Sequence, residues 1–172
     1  FAWIAGPHYR IDEKNYKGYS TVAMVLEPHA SGWKNACDYT HKVIDIYGRD
    51  FGQYAYPKMV VADCQDGMEY PMLTMDGGAD PGYRGLLAHE VGHNWFYGMV
   101  NNNETYRAML DEGFTQFLTV WALEAIDGKK IFEPAPTNTY LKKHYEEQKV
   151  RDARAYNSFM MDAMNHDHTE IN

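Results

Sequence analysis

Three features are scarce in this 172-residue sequence: cysteines, long apolar runs and clusters of basic residues. The two cysteines, Cys37 and Cys64, are too few for a disulfide framework, although a single thiol pair between them stays possible. No apolar run approaches the roughly 20 residues of a membrane-spanning helix. The net charge is −8 without a basic cluster, which argues against binding to nucleic acid or to an anionic membrane surface.

The composition is typical of one globular domain. Apolar residues make up 45% of the chain and aromatic residues 15%, enough for a substantial core in a single domain spanning residues 1–172. The chain begins at Phe1 with no signal-like segment, and we interpret it as a piece of a longer protein that has flanking domains. The sequence does not indicate a cellular compartment.

The first part of the chain, residues 1–81, predicts a small sheet and one helix. Extended segments are predicted at residues 1–5, 21–26, 58–63 and 67–75. The last of these is expected at a sheet edge, because Pro71 has no N–H to donate to a neighbouring strand. A helix capped by Ser31 is predicted to run to about Tyr47.

The remainder, residues 82–172, is predicted to be mostly helical. Helices are expected at residues 85–96, 104–126 and 138–164. Asn103 is a candidate cap for the second of them, and Gly128 follows its end.

His89, Glu90 and His93 form the pattern H-E-x-x-H on the first of these helices. Residues four apart lie on one helix face with Cβ atoms roughly 5–6 Å apart, so both imidazoles can reach one metal ion. Glu90 points elsewhere and is better placed to accept a proton from an attacking water. A catalytic zinc commonly takes two histidines and a glutamate, and Glu112 is the next acidic residue in a helical apolar pattern.

The spacing of these residues resembles that of a known family. Eighteen residues separate His93 from Glu112, which stands in an E-G-F context, as in the M1 zinc aminopeptidases of the thermolysin-like gluzincin group. The run Trp95-Phe96-Tyr97-Gly98 is similar to the aromatic continuation of that family's motif. Upstream, Gly67-Met68-Glu69-Tyr70-Pro71 resembles its G-x-M-E-N substrate motif. The resemblance covers about residues 1–128.

The resemblance implies an α+β fold, a thermolysin-like metallopeptidase catalytic domain with a small mixed sheet followed by a helical zinc-site half. It implies three ligands for one Zn²⁺ ion per chain: His89, His93 and Glu112. It implies that Glu90 is the general base and that Glu69 grips the free α-amine of a peptide substrate. The backbone at Gly67 would lie along that peptide. The implied activity is zinc-dependent hydrolysis of peptide bonds that releases N-terminal amino acids.

Three departures from the family pattern leave two alternatives open. Tyr70 replaces the asparagine of the substrate motif. Thr119 replaces an acid that supports the site in the family, and we expect the supporting hydrogen bond to come from another residue. The family's transition-state tyrosine has no match, and we expect it beyond Asn172. The alternatives are a gluzincin endopeptidase and a catalytically inactive, zinc-containing module that binds peptides.

Overall fold

A four-stranded mixed sheet and the helices packed against it make up the structure, a computed structural model that describes residues 2–128. The strands, in their order across the sheet, are β1 (Tyr9–Tyr16), β2 (Tyr19–Leu26), β3 (Lys58–Asp63) and β4 (Leu73–Asp76). The pair β1–β2 is antiparallel, whereas β2–β3 and β3–β4 are parallel. The predicted α+β class and mixed sheet are confirmed.

The central strands form where the sequence predicts them. Ala23 and Val25 on β2, and Met59 and Val61 on β3, alternate along their strands and are buried in the same core as the helices. The predicted strand at residues 1–5 is wrong, because residues 2–6 have no regular structure and the first strand is β1. Since β1 is a mostly exposed edge strand, it carries no apolar alternation by which it could be recognised.

Helix α1 (Ala36–Asp50) connects β2 to β3. The predicted cap at Ser31 is wrong, because Ser31 lies inside a 3₁₀ helix (Glu27–Gly32) and α1 begins after Asn35. Tyr47 is fully buried, and its hydroxyl donates a 3.0 Å hydrogen bond to the carbonyl of Ala88 on the next helix. This bond ties α1 to the helix that carries the histidines.

Up to residue 128, three further helices follow β4: α2 (Arg84–Gly92), α3 (Glu104–Arg107) and α4 (Met109–Asp127). The predicted cap is confirmed, since the side chain of Asn103 accepts a hydrogen bond from the N–H of Tyr106. Gly128 ends α4 with a φ of +66°. The predicted helix at 85–96 is shorter than expected, and the one at 104–126 is interrupted at Ala108. The predicted helix at 138–164 lies outside the described residues.

The segment before β4 departs most from its prediction. Most of the predicted strand at 67–75 is a turn, which folds back so that Met68 pairs with Met75. Met72 adopts a φ of +65° within this turn, a conformation that a strand does not contain. The prediction of a sheet edge is confirmed for residues 73–75, which belong to the edge strand β4. The pairing of Met68 with Met75 brings Gly67 against Leu86 and Glu90 of α2.

Within residues 2–128, no helix combines the length and the apolar character needed to cross a membrane.

Candidate metal centre

The two histidines of α2 and Glu112 of α4 come together at one point. Nε2 of His89 lies 3.0 Å from Oε2 of Glu112 and 3.2 Å from Nε2 of His93. Nε2 of His93 lies 3.8 Å from the same oxygen of Glu112. A tetrahedral zinc ion with bonds of about 2.0–2.1 Å holds its ligand atoms about 3.3 Å apart. The three atoms therefore fit one such ion and leave a fourth position open.

The close approach of α2 and α4 makes this convergence possible. Gly92 faces α4, and a Cβ atom at this position would lie 3.0 Å from Cγ2 of Thr115. At the other end of the helix pair, Arg84 forms ion pairs of 2.6 Å with Asp80 and with Asp127 at the end of α4. The helices are thus held together at both ends of α2.

His93 is buried and oriented by several neighbours. Its Nδ1 atom lies 3.2 Å from the carbonyl oxygen of Phe96, 3.3 Å from Oγ1 of Thr115 and 3.8 Å from a carboxylate oxygen of Asp111. Burial, and next the neighbouring His89, lower the pKa of His93 to about 4. The imidazole is therefore neutral at physiological pH. Because Nδ1 donates to Phe96, the lone pair of Nε2 is left for a metal.

His89 is supported by Thr119, the residue that replaces the family's acid. Oγ1 of Thr119 lies 3.4 Å from Nδ1 of His89, and the same hydroxyl donates to the carbonyl of Thr115 at 2.8 Å. The hydroxyl can therefore accept from the ring N–H of His89. The expectation that this support comes from elsewhere is wrong, because a threonine on α4 already reaches the histidine.

Glu112 is ionised in this arrangement. The hydrogen bond with His89 is the main cause that lowers the pKa of Glu112, and it outweighs the opposing effect of partial burial. The site therefore offers two imidazole nitrogens and one carboxylate oxygen, the donor set that suits zinc. A second group shares His93 and Glu112 and adds Glu69 and Asp111, with ligand atoms within 4.8 Å of one another.

Glu90 follows His89 on α2 and belongs to neither of these groups of ligand atoms. Only 5% of the residue is exposed, and its Oε2 atom has no hydrogen-bond partner in the described part of the chain. Its Oε1 atom faces the backbone of Gly67, where an added methyl group would collide with it. Burial, followed by the charge of Asp76, raises the pKa of Glu90 to about 9.

Asp76 is a candidate functional residue that the sequence analysis missed. It ends β4, is fully buried, and accepts a 2.9 Å hydrogen bond from the hydroxyl of Thr74. Its other oxygen has no partner among residues 2–128. Burial raises the pKa of Asp76 to about 7. The only sequence signal was an acidic residue directly after the predicted extended segment at 67–75.

Glu69 and Glu104 are two acids near the site whose pKa values are raised, and only Glu69 was predicted to belong to it. Glu69 lies half-buried on the turn before β4, and Glu104 begins α3. Burial is the main cause that raises the pKa of both groups, to about 7 for Glu104. Glu104 belongs to no motif, so the sequence could not assign it to the site.

Comparison of the chain with models of known protein families and with curated proteins gave no match. The assignment to the M1 family therefore stays a prediction that rests on the motif residues and their spacing.

Proposed function

We propose that this protein is a zinc-dependent peptidase that releases N-terminal amino acids, with an M1-like, thermolysin-like catalytic domain. One observation carries the proposal: the ligand atoms of His89, His93 and Glu112 lie 3.0–3.8 Å apart, beside the buried carboxyl of Glu90. The order of elements, a mixed sheet followed by the site helices, is compatible with this fold.

His89, His93 and Glu112 would hold the ion. A bound Zn²⁺ supplies Lewis-acid polarisation of the scissile carbonyl group. Without a cation, Glu90 is protonated at neutral pH, because burial raises its pKa to about 9. A divalent cation beside it favours the ionised carboxylate, which is the form that a general base requires.

Glu90 is the residue placed to move protons. Its carboxylate would accept a proton from the attacking water and pass it to the leaving amine, a role that typically contributes about 10²–10⁴-fold to rate. Its buried position keeps competing water away from Oε2. The absence of a side chain at Gly67 leaves room for the Glu90 carboxyl against the turn.

Glu69 supports the exopeptidase assignment. It projects from the turn before β4 into the same group as His93, Asp111 and Glu112. A carboxylate there can accept hydrogen bonds from the ammonium group of the first residue of a peptide. Anchoring that group at a fixed distance from the reacting carbonyl would restrict cleavage to the first peptide bond.

The test combines metal analysis with turnover of the intact protein on aminoacyl reporters that carry a free or an acetylated amine. We expect one zinc per chain, cleavage of the free-amine reporter, and a far larger loss for that reporter than for the blocked one in Glu69→Ala. Glu13→Gln, an exposed acid on β1, is the control. Equal losses on both reporters would favour the endopeptidase alternative, and zinc without any turnover would favour the inactive binding module.

A further inference from the structure

Helix α4 carries a second apolar stripe, one that no residue within 2–128 covers. Its buried side faces α2 through Thr115 and Leu118. One position before each buried residue, large apolar side chains recur at the same helical spacing. Four of them are 41–51% exposed: Leu110, Phe114, Phe117 and Trp121. A helix that is apolar on two sides is usually buried on both, so a further segment or molecule is expected to pack against this stripe.

The exposed stripe forms one wall of a groove. Phe96, just after α2, stacks on Phe114 with ring centroids 4.8 Å apart. Phe51, just after α1, lies edge-on to Phe117 at 6.3 Å. Together with Met109, these rings line a groove of about 700 Å³ in which every lining residue is apolar. Exposed apolar surfaces of this kind mark contacts, and the occupant must present apolar side chains rather than charge.

The chain itself continues from the end of the helix that carries this stripe. Gly128 ends α4 with a φ of +66°, a left-handed conformation that turns the chain away from the helix axis. The helix predicted at 138–164 would be about 40 Å long, whereas the exposed stripe spans only about 16 Å. Residues 129–137 can extend up to about 30 Å, which is enough for that helix to return along α4 at the usual 8–10 Å between axes.

The sequence of 138–164 matches the groove in character. Apolar residues recur at helical spacing toward its end: Ala153, Tyr156, Met160 and Met164. Charged residues fall on the opposite side of the predicted helix: Arg151, Arg154 and Asp162. The apolar run is about 16 Å long in a helix, the same length as the exposed stripe of α4. The segment therefore predicts an amphipathic helix with an apolar side of the size that the groove requires.

We propose that residues 138–164 return along α4 and cover its exposed stripe with the apolar side that contains Tyr156 and Met160. The inference is independent of the proposed peptidase function, since it uses no residue of the metal centre. It has a structural consequence for that centre, because α4 carries Glu112. The helix would then be held between α2 on one side and the returning segment on another.

Hydrogen exchange of the intact protein, measured by mass spectrometry on peptides from 138–164, tests the inference. These amides should exchange slowly in the wild type. Phe117→Asp places a charge in the groove and should speed their exchange roughly 10- to 100-fold. Gln116→Asp adds the same charge at an exposed position of α4 outside the groove, and should leave the exchange unchanged. Unchanged exchange of a peptide covering 84–92 shows that each variant is folded.

A variant in the segment itself keeps the test decisive if Phe117→Asp does not fold. Met160→Asp should speed exchange across 138–164 and increase the binding of the dye bis-ANS, whereas Ser158→Asp, on the charged side of the predicted helix, should do neither. Light scattering separates the alternative that a second copy fills the groove. A dimer that Phe117→Asp dissociates, without faster exchange in 138–164, would overturn the inference. Exchange in 138–164 as fast as in a free peptide would overturn it as well.

Discussion

The two sides of the candidate metal centre differ in how their polar atoms are satisfied. On the helical side, formed by α2 and α4, each ring nitrogen of His89 and His93 has a neighbour within 3.4 Å. On the acidic side, formed by β4, the preceding turn and Glu90, one oxygen of Asp76 and one of Glu90 have no partner among the described residues. Both sides include residues of α2. The ring nitrogens on the helical side are paired, whereas two buried carboxyl oxygens on the acidic side are not.

The difference shows which groups are prepared for a cation. On the helical side, the pKa of Glu112 is lowered by its hydrogen bond to His89, and the pKa of His93 is lowered by burial. Both groups are therefore already in the forms that bind a metal. On the acidic side, burial raises the pKa values of Asp76 to about 7 and of Glu90 to about 9, so at neutral pH Glu90 is protonated and Asp76 is only partly ionised until positive charge arrives.

Removing a ligand from the helical side should have the largest effect. In His93→Ala the site loses a neutral nitrogen donor, and we expect the stoichiometric zinc to be lost on gel filtration. Metal analysis by atomic emission, with the exposed His8→Ala as the control, checks this. Retention of one zinc per chain in His93→Ala would remove His93 from the ligand set.

A change on the acidic side should separate chemistry from metal binding. Glu90→Gln keeps the shape of the side chain but cannot accept a proton, so we expect full zinc content with a kcat lowered about 10²–10⁴-fold. Zinc content and steady-state kinetics of the intact protein measure the two effects together. A near-normal kcat in this variant would mean that another residue is the base.

A milder change to the helical side tests the support of His89. Thr119→Val removes the hydroxyl that lies 3.4 Å from Nδ1 of His89 and preserves its volume. We expect a zinc affinity lower by about 10–100-fold, the usual cost of losing a hydrogen bond to a ligating histidine. Competition with a chelator measures this, and the exposed Thr105→Val serves as the control. Identical affinities in the two variants would contradict the support role.

The smallest expected effect is on the pH dependence of the free energy of unfolding, through Asp76 on the acidic side. Because burial raises the pKa of Asp76 to about 7, the folded protein keeps a proton between about pH 4 and 7 that the unfolded chain has lost. The free energy of unfolding should therefore fall as the pH rises through this range, by up to about 1.4 kcal/mol per pH unit from this group. Asp76→Asn should flatten the dependence.

Urea unfolding at several pH values, with a chelator present, measures the slope for Asp76→Asn. The exposed Asp45→Asn on α1 is the matched control and should leave the slope unchanged. If Asp76→Asn and the wild type had the same slope, Asp76 would not hold the proton assigned to it.

The sequence predicted those site residues that are linked by the helical period or by a short motif. His89 and His93 share a helix face because of the helical period, and Glu90 follows from the same motif. The strands at 21–26 and 58–63 were predictable because apolar residues dominate them. Such segments predicted the presence of strands and helices, and the resemblance to the M1 family implied the α+β class.

The parts that the sequence did not predict depend on tertiary contacts. Asp111 comes within 4.8 Å of the ligand atoms of His93, Glu112 and Glu69 only because α2, α4 and the turn before β4 meet, and no local pattern encodes that approach. Asp76 resembles any acid at the start of a loop until its burial is known. The contact between Thr119 and His89 could not be predicted either, because it depends on how α4 packs against α2.

The contact at Gly92 restricts which sequences can carry this catalytic pattern. The pattern H-E-x-x-H allows any residue at positions 91 and 92. In this structure, however, Gly92 lies at the contact between α2 and α4 and affects the distance between them. A Cβ atom there would lie 3.0 Å from Cγ2 of Thr115 and 3.5 Å from Cε2 of Tyr47, so we expect a larger side chain to press against α4, which carries Glu112. In a library randomised at these two positions, position 92 should tolerate far fewer residues. A pattern search that ignores this constraint would accept sequences in which α2 and α4 pack less closely.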